Sequence, residues 1–179
     1  DQPITVVYKK LPKKGISEVN AVLEIDETDH VKNHHLFDDK KDQDLYNMST
    51  DIFVVDTPWL IEKLEIEAQK EFPQKLRYVL RDLAAQEKAF AYEYTGYLAN
   101  IHSVTSYFNA NIDMLDSQKF YSLFSPNQKI YTKVKNEEPT YYAVGSKVSN
   151  AQFASGSIIE GEVSGSVISR NTRIKKGSR

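Results

Sequence analysis

Three rules of hydrophobic spacing succeed one another along this chain. The stretch Ile4-Thr-Val-Val-Tyr-Lys-Lys-Leu11 is β-branched and bounded by Pro12 and Gly15, which predicts a strand. Ala21-Val-Leu-Glu-Ile-Asp26 predicts a second, and the polar turn Asp26-Glu-Thr-Asp29 leads into Val31 as a hairpin. Residues 32–44 are rich in His, Asp and Lys without apolar periodicity and read as a surface loop. Asp51-Ile-Phe-Val-Val-Asp56 then reads as a short buried strand, followed by Thr57-Pro58, a helix start with proline in the first turn. From there the spacing turns helical. A helix to about Lys70 places Leu60, Ile61, Leu64 and Ala68 on one face, and a second, from about Gln74 to Gln86, carries Leu76, Val79, Leu80 and Leu83. Phe90-Ala-Tyr-Glu-Tyr-Thr-Gly-Tyr97 reads as an aromatic strand whose Tyr92, Tyr94 and Tyr97 serve sheet packing. Ser103 caps a third helix with Val104, Tyr107, Phe108, Ala110, Ile112 and Leu115.

Beyond a linker with Pro126 and Pro139 a third rule begins. Between Ser149 and Lys176 isolated aliphatics punctuate small and polar residues, with Phe153 and Ile159 six apart, Ile168 and Ile174 six apart, and Gly156, Gly161 and Gly165 between them. This is the spacing of a β-helix, in which each coil takes about three hexapeptides, one aliphatic of each points inward and small residues turn the corners. Strands alternating with helices ahead of it imply an α/β layered sheet.

Composition narrows what such a chain does. At 179 residues, 40% hydrophobic and 27% charged, it can bury a real core. A formal charge of −2 supplies no basic field for DNA or RNA. There is no cysteine, which excludes disulfides and thiolate zinc sites and fits a reducing compartment. No apolar run approaches the roughly 20 residues of a membrane helix, so the expected location is the cytoplasm. The chain opens at Asp1 directly into strand-like sequence, which points to a piece of a longer protein.

Four stretches carry a resemblance: Gly96-Tyr-Leu-Ala-Asn-Ile-His-Ser103, Tyr107-Phe-Asn-Ala-Asn-Ile-Asp-Met-Leu115, Ile130-Tyr-Thr132, and Ser157-Ile-Ile-Glu-Gly-Glu-Val-Ser-Gly-Ser-Val-Ile-Ser169. Together, in this order, they resemble the glucose-1-phosphate adenylyltransferases (ADP-glucose pyrophosphorylases), and more narrowly the GlgD-type regulatory subunits of bacterial glycogen synthesis. The resemblance implies the second half of a Rossmann-like nucleotide-sugar transferase domain over 1–118, a linker over 119–145, and the start of a left-handed β-helix of hexapeptide repeats over 146–179. The implied reaction makes ADP-glucose and pyrophosphate from ATP and glucose 1-phosphate. Its chemistry is positioning plus neutralisation of developing charge by magnesium and cationic side chains. The implied partners are a catalytic subunit of the same enzyme and further copies of the chain, because an open coil leaves an unpaired edge.

Measured against that chemistry, the residues fall short. No glycine-rich phosphate loop occurs before position 145, where Gly15 and Gly96 stand alone, so the chain by itself is expected to be inactive and to bind ATP poorly. Catalytic members of the family carry Gly-Tyr-Trp-x-Asp-Ile/Val-Gly with a metal-binding aspartate, where this chain has Asn100, and His102 in place of the glycine. An amide oxygen is a weak ligand for a hard cation. The Phe-x-Glu-Lys-Pro lysine motif is not reproduced by Val31-Lys-Asn-His-His-Leu-Phe37, and Lys32 takes no assigned role. Ser49 matches the serine of the family's Ser-Met-Gly sugar-pocket segment, while Thr50 and Asp51 depart from it. Ser49 and Asn100 are therefore the candidate remnants of a degenerate sugar-phosphate pocket, with no catalytic residue, metal ligand or cofactor assigned. His30, His34, His35, Asp38 and Asp39 have neither cysteine nor a shared helical face and read as solvated surface rather than a metal site; Lys40-Lys41 and Lys175-Lys176 read as ordinary solvated charge. Two other functional classes stay open. One is a hexapeptide-repeat acyltransferase, disfavoured because every histidine lies at or before position 102. The other is a non-enzymatic assembly module.

Overall fold

Strand β1 (Ile4–Leu11) is the hub of a five-stranded mixed sheet in a computed structural model that describes residues 2–38, 43–133 and 135–179. Asp39, Lys40 and Lys41 lie outside the described residues. Two compact units divide the chain, Asp1–Thr95 and Gly96–Arg179.

In the first unit β2 (Ala21–Ile25), β3 (Val31–Leu36), β4 (Tyr46–Val55) and β5 (Phe90–Glu93) join β1 in the order β3-β2-β4-β1-β5. β4 runs antiparallel to β1 and β5 parallel to it. Alternation along β1 buries Ile4, Val6 and Tyr8 on one face. They meet Leu23, Val31, Ala91 and the helix residues Leu80 and Ala84 in one cluster, flanked by Phe53, Val55, Trp59 and Leu60. Two helices cover that face. Helix α1 (Thr57–Ala68) starts at Asp56, whose carboxylate accepts from the Trp59 amide at 3.0 Å. Helix α2 (Leu76–Gln86) buries Val79, Leu80, Arg81 and Ala84.

Several expectations change. The polar segment 32–44 is not a loop at its start: β3 pairs antiparallel with β2, and the turn between them is set by Asp26. One oxygen of its carboxylate accepts from the Thr28 amide and hydroxyl (2.9 and 2.7 Å) and from the His30 amide (3.0 Å). The His30 amide chief among them, these donors hold Asp26 down to about 2. The strand expected at 51–56 begins at Tyr46, and its outer half is not buried, since Ile52 and Val54 are exposed. On α1, Ile61 and Ala68 face water, and Trp59 and Leu60 do the packing. The aromatic strand stops at Glu93, so Tyr94 and Tyr97 lie beyond it, and Tyr92 is exposed.

Register partners share a face, so Thr5, Val7, Ile52, Val54, Phe90 and Tyr92 line the side of the sheet opposite the helices. Ile52, Val54 and Tyr92 are each more than half exposed there. This face is apolar and uncovered among the described residues.

The second unit opens on α3 (Val104–Ile112), started by a reciprocal box in which the Ser106 amide donates to Ser103 Oγ (3.1 Å) and the Ser103 amide to Ser106 Oγ (2.9 Å). Leu115 falls in a 3-10 turn after it, and α4 (Ser117–Leu123) follows, capped by Asp116. Short parallel strands then stack. β6 (Tyr141–Tyr142), β8 (Ile158–Ile159) and β10 (Arg173–Ile174) form one sheet, and β7 (Lys147–Phe153) and β9 (Glu162–Ile168) another. Ser149 of β7 lies beside Ser164 of β9, a separation of 15 residues. The coil is thus shorter here than three hexapeptides. Of the four aliphatics expected inside, Ile159 is fully buried, while Phe153, Ile168 and Ile174 are half-buried. Ser157 and Val163 complete the interior, which the six-residue count did not include. Gly161 is demanded by close approach: a Cβ there would lie 2.6 Å from the Lys175 carbonyl oxygen and 2.8 Å from that of Ser178.

Candidate functional site

Ser49 sits at the start of a bulge. β4 pairs Ser49 with Tyr8 and Ile52 with Val7, leaving Thr50 and Asp51 extra opposite the Val7–Tyr8 step. The Thr50 hydroxyl donates to the Val7 carbonyl at 2.9 Å, and Ser49 Oγ accepts from the Asp51 amide at 3.3 Å. Ser49 shares the helix-covered face with Tyr8 and is 4% exposed.

Asp51 takes φ 57°, the left-handed region. The Ser-Met-Gly segment that Ser49 resembles has glycine at this place, and this chain takes a bend that suits glycine with a carboxylate on it, at a backbone cost of about 1 kcal/mol. That carboxylate points at α2. Arg81, itself buried, donates from Nε to Oδ1 at 3.0 Å and from Nη2 to Oδ2 at 2.8 Å, and Arg77 Nη2 reaches Oδ2 at 3.4 Å. Both guanidinium groups also lie over the Tyr78 ring, at 5.4 Å (Arg77) and 5.9 Å (Arg81) from its centroid. His34 lies close by on β3, its buried ring nitrogens beside the Arg81 backbone. Burial, with the Arg81 charge adding to it, pushes the His34 imidazole down to about 4, against an opposing pull from Asp51.

The histidines are thus not solvated loop residues. His34 and His35 are half-buried in β3, and Nδ1 of His35 is also buried without a partner. His30 bridges to Phe90, its Nδ1 3.0 Å from Thr28 Oγ1. Lys32 is exposed at the register break of β3, between the Asn33 and Val31 pairings. Arg77, Arg81 and the bend at Asp51 escape a reading by motif; the one hint was aspartate at a glycine position with arginines four apart on a helix.

In the second unit, Asn100 is half-buried in the extended segment before the Ser103 cap, and His102 is exposed, its amide donating to Ser106 Oγ at 2.9 Å. Tyr97, from the same segment, donates to Asp113 Oδ2 at 3.1 Å, and Lys119 Nζ donates to Oδ1 at 2.6 Å. Burial and that carboxylate push the Tyr97 hydroxyl up to about 12. No group of three His, Cys, Asp or Glu residues that could hold a metal ion occurs among the described residues. The side chain at this position is the neutral amide of Asn100, a weaker ligand for a hard divalent cation than a carboxylate.

No protein-family model matches the chain. Curated proteins do. It is 40% identical over 88 residues to the Glycogen biosynthesis protein GlgD of Bacillus subtilis (strain 168), covering 49% of this chain and 26% of that protein. It is 36% identical over 103 residues to the glucose-1-phosphate adenylyltransferase of Mycoplasma mobile, covering 58% and 26%. Against the glucose-1-phosphate adenylyltransferase of Geobacillus stearothermophilus, the match reaches 28% identity over 98% of this chain and 44% of the relative. The chain is homologous to these proteins. It spans less than half the length of each of them.

No helix among the described residues is long and apolar enough to cross a membrane.

Proposed function

We propose that this chain is part of a GlgD-type subunit that serves ADP-glucose formation from ATP and glucose 1-phosphate for glycogen biosynthesis, in the cytoplasm, beside a catalytic subunit. The observation that carries this reading is the 40% identity to a protein named for glycogen biosynthesis, read together with the substitutions at the site. Asn100 stands where the resemblance implies a metal-binding aspartate. Thr50 and Asp51 stand where it implies methionine and glycine, and the Asp51 carboxylate is engaged by two arginines. Ser49, in the first unit, and Asn100, in the second, are then each a degenerate counterpart of a sugar-phosphate-site residue implied by the resemblance, and the subunit acts by assembly rather than by turnover.

The uncovered apolar face of the first unit, Asp1–Thr95, supports its being one part of a larger layered domain, read as the Rossmann-like half over 1–118 that the resemblance implies. Parallel strands fifteen residues apart support the β-helix that the resemblance implies over 146–179, left-handed by that resemblance and self-associating through its coil; the 119–145 stretch ahead of it is not all linker, since it holds most of α4 and β6, which already pairs with β8.

The test is to assay ADP-glucose and pyrophosphate production by the purified chain, alone and mixed with a catalytically competent glucose-1-phosphate adenylyltransferase. The expected result is no synthesis alone, co-elution with the competent enzyme on gel filtration, and altered kinetics of the mixture. Robust synthesis by the chain alone would refute the proposal.

A further inference from the structure

We propose that Arg77 and Arg81, with His34 beside them, form a binding site for a phosphate-type dianion whose resting occupant is the chain's own Asp51 carboxylate. The geometry is that of an anion cradle. Arg81 presents the two-pronged fork that suits carboxylate and phosphate alike, and it is held from behind by burial and by the Tyr78 ring. Arg77 approaches the same oxygen from the solvent side, with half its side chain exposed, so the site opens toward water.

Charge accounting points the same way. Two guanidinium groups face one carboxylate, and no acidic group other than Asp51 pairs with either arginine among the described residues. The buried His34 imidazole adjoins Arg81. A dianion would balance the charge of both arginines, which the single carboxylate of Asp51 does not do. Asp51 is also held in the left-handed region, so it fills the cradle from a backbone that glycine or asparagine adopts more readily. This inference stands apart from the proposed role in glycogen synthesis, since it needs only the first unit.

The experiment uses inorganic phosphate as the probe. Asp51→Asn removes the carboxylate charge and tolerates φ 57°, and Asp51→Gly serves as a second variant where the amide perturbs folding, which far-UV circular dichroism checks. Apparent affinity scales with the fraction of time the cradle is vacant. If Asp51 fills it more than about nine-tenths of the time, its removal tightens phosphate binding by about tenfold or more. Isothermal titration and the phosphate dependence of the unfolding midpoint, against chloride at matched ionic strength, read this out. The double variant Asp51→Asn/Arg77→Gln should lose most of the gain. The proposal is overturned if the folded single variants gain no phosphate response beyond chloride, or if Arg77→Gln leaves the gain intact.

Discussion

Truncating Ile159 to alanine tests the coil at its centre. Ile159 has no exposed surface and lies on β8, the middle strand of its sheet, opposite Tyr142 on one side and Ile174 on the other. The change removes three carbons. At about 0.8 kcal/mol per buried methylene the lost transfer energy is about 2.4 kcal/mol, and the residual cavity brings the total to about 3–4 kcal/mol. Ile159→Val should cost only about 1 kcal/mol. Because the two units need not unfold together, global denaturation is a blunt readout. Amide hydrogen exchange is sharper. The amides of Ala143, Ile158 and Glu160 donate across this sheet at 2.8, 2.9 and 2.7 Å. Opening made easier by about 3 kcal/mol speeds their exchange about a hundredfold, while amides of β1 keep their wild-type rates. Exchange accelerated less than tenfold, or accelerated equally in β1, would refute the interior placement of Ile159.

Four further outcomes are expected. Gly161→Ala drives a methyl group against two backbone carbonyl oxygens of the next turn, which cannot move as a side chain does; a loss of about 1–3 kcal/mol is expected in chemical denaturation, whereas Gly145→Ala meets no atom within 4 Å and carries only the strain of its positive φ. Asp56→Ala removes the α1 cap and should cost about 1 kcal/mol by the same measurement. The buried His34 is neutral when folded and titrates near 4, below its unfolded value of about 6.5, so the unfolded state binds more protons between those limits. Stability should therefore be full above pH 6.5, fall by up to about 3 kcal/mol as pH drops toward 4, and flatten over that window in His34→Leu. Asp26, depressed to about 2, acts in a separate window, its contribution fading as pH falls from 3.8 through 2.

What could be read from the chain was whatever its local spacing dictates. β1, β2, both long helices, the Ser103 cap and the repetitive character of the tail all declare themselves in runs of four to twelve residues. β3 did not. Its Lys-Asn-His-His is poor strand sequence, and it becomes a strand because the Asp26 turn delivers it to β2 and α2 covers it. The inward set of the coil was legible in part: Ile159 follows from spacing, but burial of Ser157 and Val163 depends on which strands stack. At the candidate site, motif comparison singled out Ser49 and Asn100 by type. The bend at Asp51 and its grip by Arg81, 30 residues away, were invisible, since no local rule pairs a strand residue with a helix residue at that distance.

Sequence alone, then, determined most of the elements, the change of building rule after the linker and the similarity to glucose-1-phosphate adenylyltransferases. Tertiary structure decided which side of each element is buried, where the sheet keeps an uncovered apolar face, and that a carboxylate occupies a glycine-type bend between two arginines. The division has a physical cause. Propensity and periodicity are properties of neighbouring residues, whereas burial and charge pairing are settled only when distant segments meet and exclude water.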